Sequence, residues 1–153
     1  MSRTRATAKQ AGSRFERIIA DAFAWHLKSE AIDRQVKRGA LDTGDIANVR
    51  TRDGHRLVVE CKDTSRFDIG HWISEAARER DNAHALAGIV VHKRRGKGDP
   101  LDQYVTMTMR DLLLIGWGVT SEKCTCAVSP GGVIVYTDDA CPKHGTTTQE
   151  DND

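Results

Sequence analysis

The chain lacks any apolar run long enough to cross a bilayer as a helix, which excludes a helical membrane-spanning protein. Its first ten residues, MSRTRATAKQ, contain no apolar stretch and do not read as a secretory signal. Net charge is almost absent, +1 over 153 residues, so the whole molecule has no strong electrostatic preference. No internal repeat is present. Cysteine is sparse and late: Cys61, Cys124, Cys126 and Cys141. With no export signal these are expected to stay reduced, and the default compartment is the cytoplasm.

What is present is enough chain for one domain with a modest core and short tails. Its charge is unevenly placed. Arg3, Arg5, Lys9, Arg14 and Arg17 stand against the single acid Glu16 in the first 17 residues. Lys93, Arg94, Arg95 and Lys97 form a second basic run, and the closing TTTQEDND is acidic and polar. Local basic patches can meet a phosphate backbone even at near-zero net charge. Solvated loops and tails account for each patch equally well when it is taken alone.

Residues 1–10 read as a flexible basic N-terminus. SRFE fits a capping box that starts a helix at Ser13, with Glu16 reaching back to the first turn. Phe15, Ile18, Ile19, Ala22, Phe23 and Leu27 then follow at helical spacing. Residues 30–44 are polar and read as a short strand and a loop. DIANVRT and HRLVVECK are alternating strands around Asp53-Gly54, a two-residue hairpin signal. HWISEAARERDNAHALAG reads as helix, GIVVHK as strand, RRGKGDP as loop, QYVTMTM as strand and RDLLLIGWG as a short helix closing on glycine. The order α, β, β, β, α, β, β, α predicts an α/β domain over residues 11–118, a mixed sheet with helices packed on it. Residues 119–146 form a small Cys/His-containing appendage, and 147–153 a disordered acidic tail.

LVVECKD (57–63) writes a carboxylate and an ammonium into a strand that otherwise asks to be covered. With a two-residue loop, Arg52 faces His55, Ala47 faces Glu60 and Asp45 faces Lys62. Side chains alternate, so Asp45, Ala47, Glu60 and Lys62 share one face, with Leu57, Val59 and Cys61 on the other. Asp45 and Glu60 become diagonal neighbours, roughly 7–8 Å apart and within reach of a shared ion. A bulge would break this register. The plain alternative is a cross-strand Asp45–Lys62 salt bridge with Glu60 solvated, which adds little stability. The Cys61 thiol, on the opposite face, reads as core.

Asp45 on one strand, then Glu60-Cys61-Lys62 on the next, resembles the PD-(D/E)xK nuclease superfamily. Gly44 stands where the family pattern has proline. The αβββαβ order matches the family's restriction-endonuclease-like core. AGSRFERIIADAF looks like the first helix of archaeal-type Holliday-junction resolvases and their phage relatives, which carries a catalytic glutamate followed by arginine; Glu16 and Arg17 occupy those positions. The resemblance covers roughly residues 10–116 and says nothing about 119–153.

The resemblance implies a metal-dependent, structure-selective endodeoxyribonuclease that hydrolyses phosphodiester bonds in branched DNA. Its catalytic residues would be Glu16, Asp45, Glu60 and Lys62. Mg²⁺ or Mn²⁺ would be held by Asp45, Glu60 and the backbone carbonyl of Cys61, with Glu16 near the metal or only capping its helix. Hard divalent cations take such oxygen ligands, and a bound ion lowers the pKa of its water. Lys62 would orient that water or stabilise charge in the transition state. Arg3, Arg5, Lys9, Arg14, Arg17, Lys93, Arg94, Arg95 and Lys97 are candidate DNA-backbone contacts, which position without reading sequence. Thr64 and Ser65, just past Lys62, can bind phosphate or lie in a solvated loop, and His71 reads as a surface histidine. A symmetric homodimer would suit paired cuts in a four-way junction. The expected compartment is the cytoplasm, that of the host cell for a phage-encoded protein. The alternatives are a related restriction-type or DNA-end nuclease, and a non-catalytic DNA-binding module that keeps the fold.

In the tail, Cys124, Cys126, Cys141 and His144 can form a Cys₃His set for one structural Zn²⁺. Cys141 and His144 have good zinc spacing, Cys124 and Cys126 are tighter than usual, and Pro130-Gly131-Gly132 lets the chain fold back. A small reduced β-hairpin is the alternative.

Overall fold

The computed structural model describes residues 5–35, 42–118, 127–128 and 134–136. The chain divides into two compact units, Met1–Gly118 and Val119–Asp153. In the first unit the elements run α1 (Arg5–Leu27), β1 (Asp33–Arg34), β2 (Ile46–Ala47), β3 (Leu57–Lys62), α2 (Ile69–Asn82), β4 (Ala87–His92), a 3₁₀ turn (Pro100–Asp102), β5 (Tyr104–Thr106) and α3 (Met109–Trp117). This is a mixed α/β fold. The five strands lie in the order β1-β2-β3-β4-β5, with β3 and β4 parallel across the α2 crossover and the other pairs antiparallel. In the second unit β6 (Ala127–Val128) pairs antiparallel with β7 (Ile134–Tyr136). Cys124, Cys126, Cys141, His144, the acidic tail and Arg3 lie outside the described residues. Among the described residues no helix is long and apolar enough to cross a membrane.

Helix α1 starts at Arg5, eight residues before the capping box. Ala6, Ala8, Lys9, Gln10 and Ala11 are strong helix formers, and no proline interrupts them, so the helix continues through Ser13. Residues 5–10 are thus helical rather than flexible, and Glu16 lies mid-helix, where it caps nothing.

Beta alternation divides the core. Odd-numbered residues of β3 and β4 (Leu57, Val59, Ala87, Ile89, Val91) join Ile32, Ile46 and Val49 under Phe15, Ile19 and Ala20 of α1. On the other face Val90 meets Trp72 and Ala76 of α2. Each fully buried aliphatic side chain contributes about 1.5–3 kcal/mol. Gly88 lets α2 approach this closely: a Cβ there would lie 2.6 Å from the Ala76 carbonyl oxygen. Gly88→Ala is therefore expected to cost about 1–3 kcal/mol, read as a lower urea midpoint with unchanged slope. A variant as stable as the parent would show that the helix–sheet gap is not fixed here.

The β2–β3 hairpin departs from the two-residue loop in two compensating steps. Thr51 donates its N–H to the His55 carbonyl at 2.8 Å, and Gly54 donates to Thr51 at 3.0 Å, so the loop holds three residues, Arg52 to Gly54. Gly54 takes φ 85°, the left-handed position such a loop needs. That slips the register by one. The second slip is at Asn48, φ 64°, an extra residue between Val49, which accepts from Leu57 N–H, and Ile46, which pairs with Val59. Ile46 and Val49 can then both enter the α1-side core although they are three residues apart. The shared face survives, but Asp45 now stands beside Glu60 rather than opposite Lys62, and Ala47 no longer faces Glu60.

Candidate metal centre

Asp45 sits just before β2. Its N–H donates to the Val59 carbonyl at 2.9 Å, and its Oδ2 accepts the Cys61 N–H at 2.9 Å. The carboxylate thus continues the ladder where the strand ends. Gly44 makes the entry possible: it adopts φ 97°, and a Cβ would lie 3.0 Å from Val58 Cγ1 and 3.1 Å from the Val59 carbonyl oxygen. Proline, fixed at negative φ, could not adopt this conformation.

Asp45 and Glu60 are each only 5 % exposed. Lys62 Nζ lies 2.6 Å from Glu60 Oε1 and 2.6 Å from Glu75 Oε2. Glu75 and Glu79 come from α2, one turn apart. Glu60, Glu75 and Glu79 each offer an oxygen, and all three lie within 4.8 Å of one another. Glu79 is 2 % exposed, and its Oε2 is buried without a hydrogen-bond partner.

The electrostatics follow from this crowding. Burial, then the Asp45 charge, push Glu60 up to about 9, against the opposing pull of Lys62. Burial and Asp42 push Glu79 up to about 7, while its hydrogen bond with Glu60, which needs a proton between the two carboxyls, holds it lower. Burial would lower the Lys62 ammonium, but its bonds to Glu60 and Glu75 more than reverse this, so it stays charged. Burial raises the Cys61 thiol, which packs against the α1-side core as expected and is no nucleophile. Five carboxyls act on one another around one ammonium. Ionising crowded, buried carboxyls is costly, and oxygen-only donors suit a hard divalent cation. The residues present therefore fit a divalent ion, with Glu79 Oε2 as an open donor.

Glu16 is not brought into this cluster. It belongs to α1, against the opposite face of the sheet, and its Oε2 is held by Arg34 through Nε at 3.0 Å and Nη2 at 2.5 Å. Its charge reaches Cys61. Arg17 is also engaged, with Asp33 at 2.5 Å and Asp21 at 3.5 Å, and Lys97 stands 3.7 Å from Asp102. Lys9 is exposed on α1. Arg14 and Lys93 share a surface groove with Thr7, Gln10 and Asp63, while Lys93 lies over the Phe15 ring. Arg94 lies over Tyr104, and Arg95 donates to the Thr64 carbonyl at 3.0 Å. His71 is exposed.

Sequence reasoning missed Glu75 and Glu79. The signal was available for Glu79: Trp72, Ala76 and Glu79 recur at helical spacing, which puts a carboxylate on the buried stripe of α2. Comparison with protein families, with curated proteins and with solved structures gives no match to this chain.

Proposed function

We propose that this protein is a divalent-metal-dependent endodeoxyribonuclease of the PD-(D/E)xK kind, acting on branched DNA as Holliday-junction resolvases do. The observation that carries the reading is the hairpin that seats Asp45 beside Glu60, with Lys62 in contact with Glu60. The αβββαβ order and the mixed sheet agree with it.

Asp45 and Glu60 would hold Mg²⁺ or Mn²⁺, with Glu75 and Glu79 close enough to share in binding it. Such an ion stabilises charge at a scissile phosphate and lowers the pKa of bound water. Lys62 is the charged donor beside these carboxylates. Its ammonium can turn from Glu60 and Glu75 toward a phosphate oxygen once another cation neutralises them. Helix α2 closes one side of the cluster with Glu75 and Glu79. Lys9, Arg14, Lys93, Arg94 and Arg95 are exposed or half-buried cations that would contact backbone phosphates. A second copy of the chain would supply the second cut of a junction.

The test is incubation with a synthetic four-way junction, a duplex and a single strand, with Mg²⁺ or with chelator. Paired symmetric nicks confined to the junction are expected. Duplex cutting would point to a restriction-type enzyme. Binding without cleavage, unaffected by Glu60→Gln, would leave only a DNA-binding module.

A further inference from the structure

Beside the carboxylates, on the same sheet face, lies a group of rings that the hydrolytic chemistry does not use. His92 is the parallel partner of Lys62 and the antiparallel partner of Tyr104. The His92 ring lies 5.6 Å from Phe67, 5.5 Å from Trp72 and 5.5 Å from Tyr104, and Phe67 and Trp72 are 5.9 Å apart. Exposure splits the group. Trp72 and His92 are 6 % and 5 % exposed, whereas Phe67 and Tyr104 keep 56 % and 47 % of their surface in solvent. A closed minicore would cover all four. Here two buried rings brace two open ones, and aromatic contacts of this kind fix ring orientation.

Two arginines, Arg94 and Arg95, flank the rings. Arg94 lies 5.3 Å over the Tyr104 ring, and Arg95 ties its own loop to the Phe67 loop through the Thr64 carbonyl. Among the described residues neither arginine forms an ion pair. Braced, half-exposed rings beside arginines that form no ion pair among the described residues are the combination that binds unpaired nucleotides, rings taking bases and cations taking phosphates. Fully paired duplex offers no free base face. Burial lowers the His92 pKa, and its Nε2 lies 2.8 Å from Thr106 Oγ1. Neighbouring strands are about 4.8 Å apart, so Tyr104 stands roughly two strand spacings from Lys62, near enough for one DNA strand to touch both.

We propose that Phe67 and Tyr104 form a stacking platform for an unpaired nucleobase, with Arg94 and Arg95 holding its phosphates, so that the protein engages DNA where bases are unpaired next to the carboxylate centre. The proposal rests on the nuclease reading for its substrate but is tested without cleavage. Binding of a short single strand containing 2-aminopurine, and of the matching duplex, is measured in chelator by fluorescence and anisotropy. Single-strand affinity should fall about tenfold in Phe67→Ala and in Tyr104→Ala, with loss of 2-aminopurine quenching. Tyr104→Trp should restore both, and duplex affinity should change less than twofold. Unchanged single-strand affinity, or an equal loss for duplex, would overturn the platform. A shift of Tyr104→Ala to a smaller oligomer with single-strand binding intact would also overturn it, marking the rings as a protein contact. Because binding is read in chelator, failure of the wild type to cleave DNA in the separate Mg²⁺ assay counts against the nuclease reading and leaves this result standing.

Discussion

Glu60→Gln should abolish metal-dependent DNA cleavage, by about a hundredfold or more, without unfolding the protein. Glutamine keeps the shape of the side chain and can still accept from Lys62. With Glu60 pushed up to about 9, the metal-free protein at pH 8 already holds this carboxyl largely protonated. The neutral isostere thus reproduces the metal-free charge state, and its melting temperature in chelator should match that of the parent. The difference appears on adding Mn²⁺. An ion that binds only the folded state stabilises it by about 2.7 kcal/mol at a hundred times its dissociation constant. The parent should show that rise in melting temperature, and Glu60→Gln should lose most of it. Equal Mn²⁺ shifts in both proteins would remove Glu60 from the metal centre. A collapse of the variant in chelator would mean that the Glu60 charge holds the fold together, against the electrostatics described here.

The second large effect is on pH dependence. Burial and neighbouring carboxylates push Glu60 and Glu79 up from the ordinary 4.5 of an unfolded chain, to about 9 and about 7 in the folded one. Between these values the folded protein holds more protons than the unfolded chain, so metal-free stability falls as pH rises. Both extra protons are held in the lower part of this range and only that of Glu60 in the upper part, so the decline is steeper at lower pH. His92 acts in the opposite sense: its lowered pKa favours the folded state as pH rises toward the ordinary histidine range. Lys62, raised, holds its contribution throughout and loses it only in strong alkali. The net expectation is a urea midpoint in chelator that declines from pH 5 to pH 9, most steeply below pH 7, with saturating Mg²⁺ removing much of the decline. A midpoint that climbs across this range would show that the carboxyls are not crowded as the geometry places them.

Much of this centre was legible because strand parity is robust. Asp53-Gly54 announces a hairpin, and the alternation of LVVECK then places Glu60 and Lys62 on one face. The element order was readable from periodicity for the same reason. What stayed hidden depended on contacts between distant segments. The capping box at Ser13 was a correct local pattern overridden by the helix formers before it. Glu16 has helix-cap chemistry in the sequence and an Arg34 partner in the fold, and nothing short-range connects those two residues. Glu75 and Glu79 lie in a segment that reads only as helix, and the close approach of Ala76 to Gly88 is what brings them to Glu60. His92 sits in a wholly buried strand whose apolar run masks one polar residue.

Asn48 carries a consequence of its own. It is supernumerary in the ladder: without it Val49 would follow Ala47 in regular alternation, and the pairing of Ile46 with Val59 would be unchanged. Its left-handed backbone suits asparagine and is strained for a β-branched residue. At this position excision should therefore be gentler than replacement. A chain one residue shorter, missing Asn48 and its 2.6 Å bond to the Ala31 carbonyl, should keep Asp45 beside Glu60 and outlast Asn48→Val in a thermal melt.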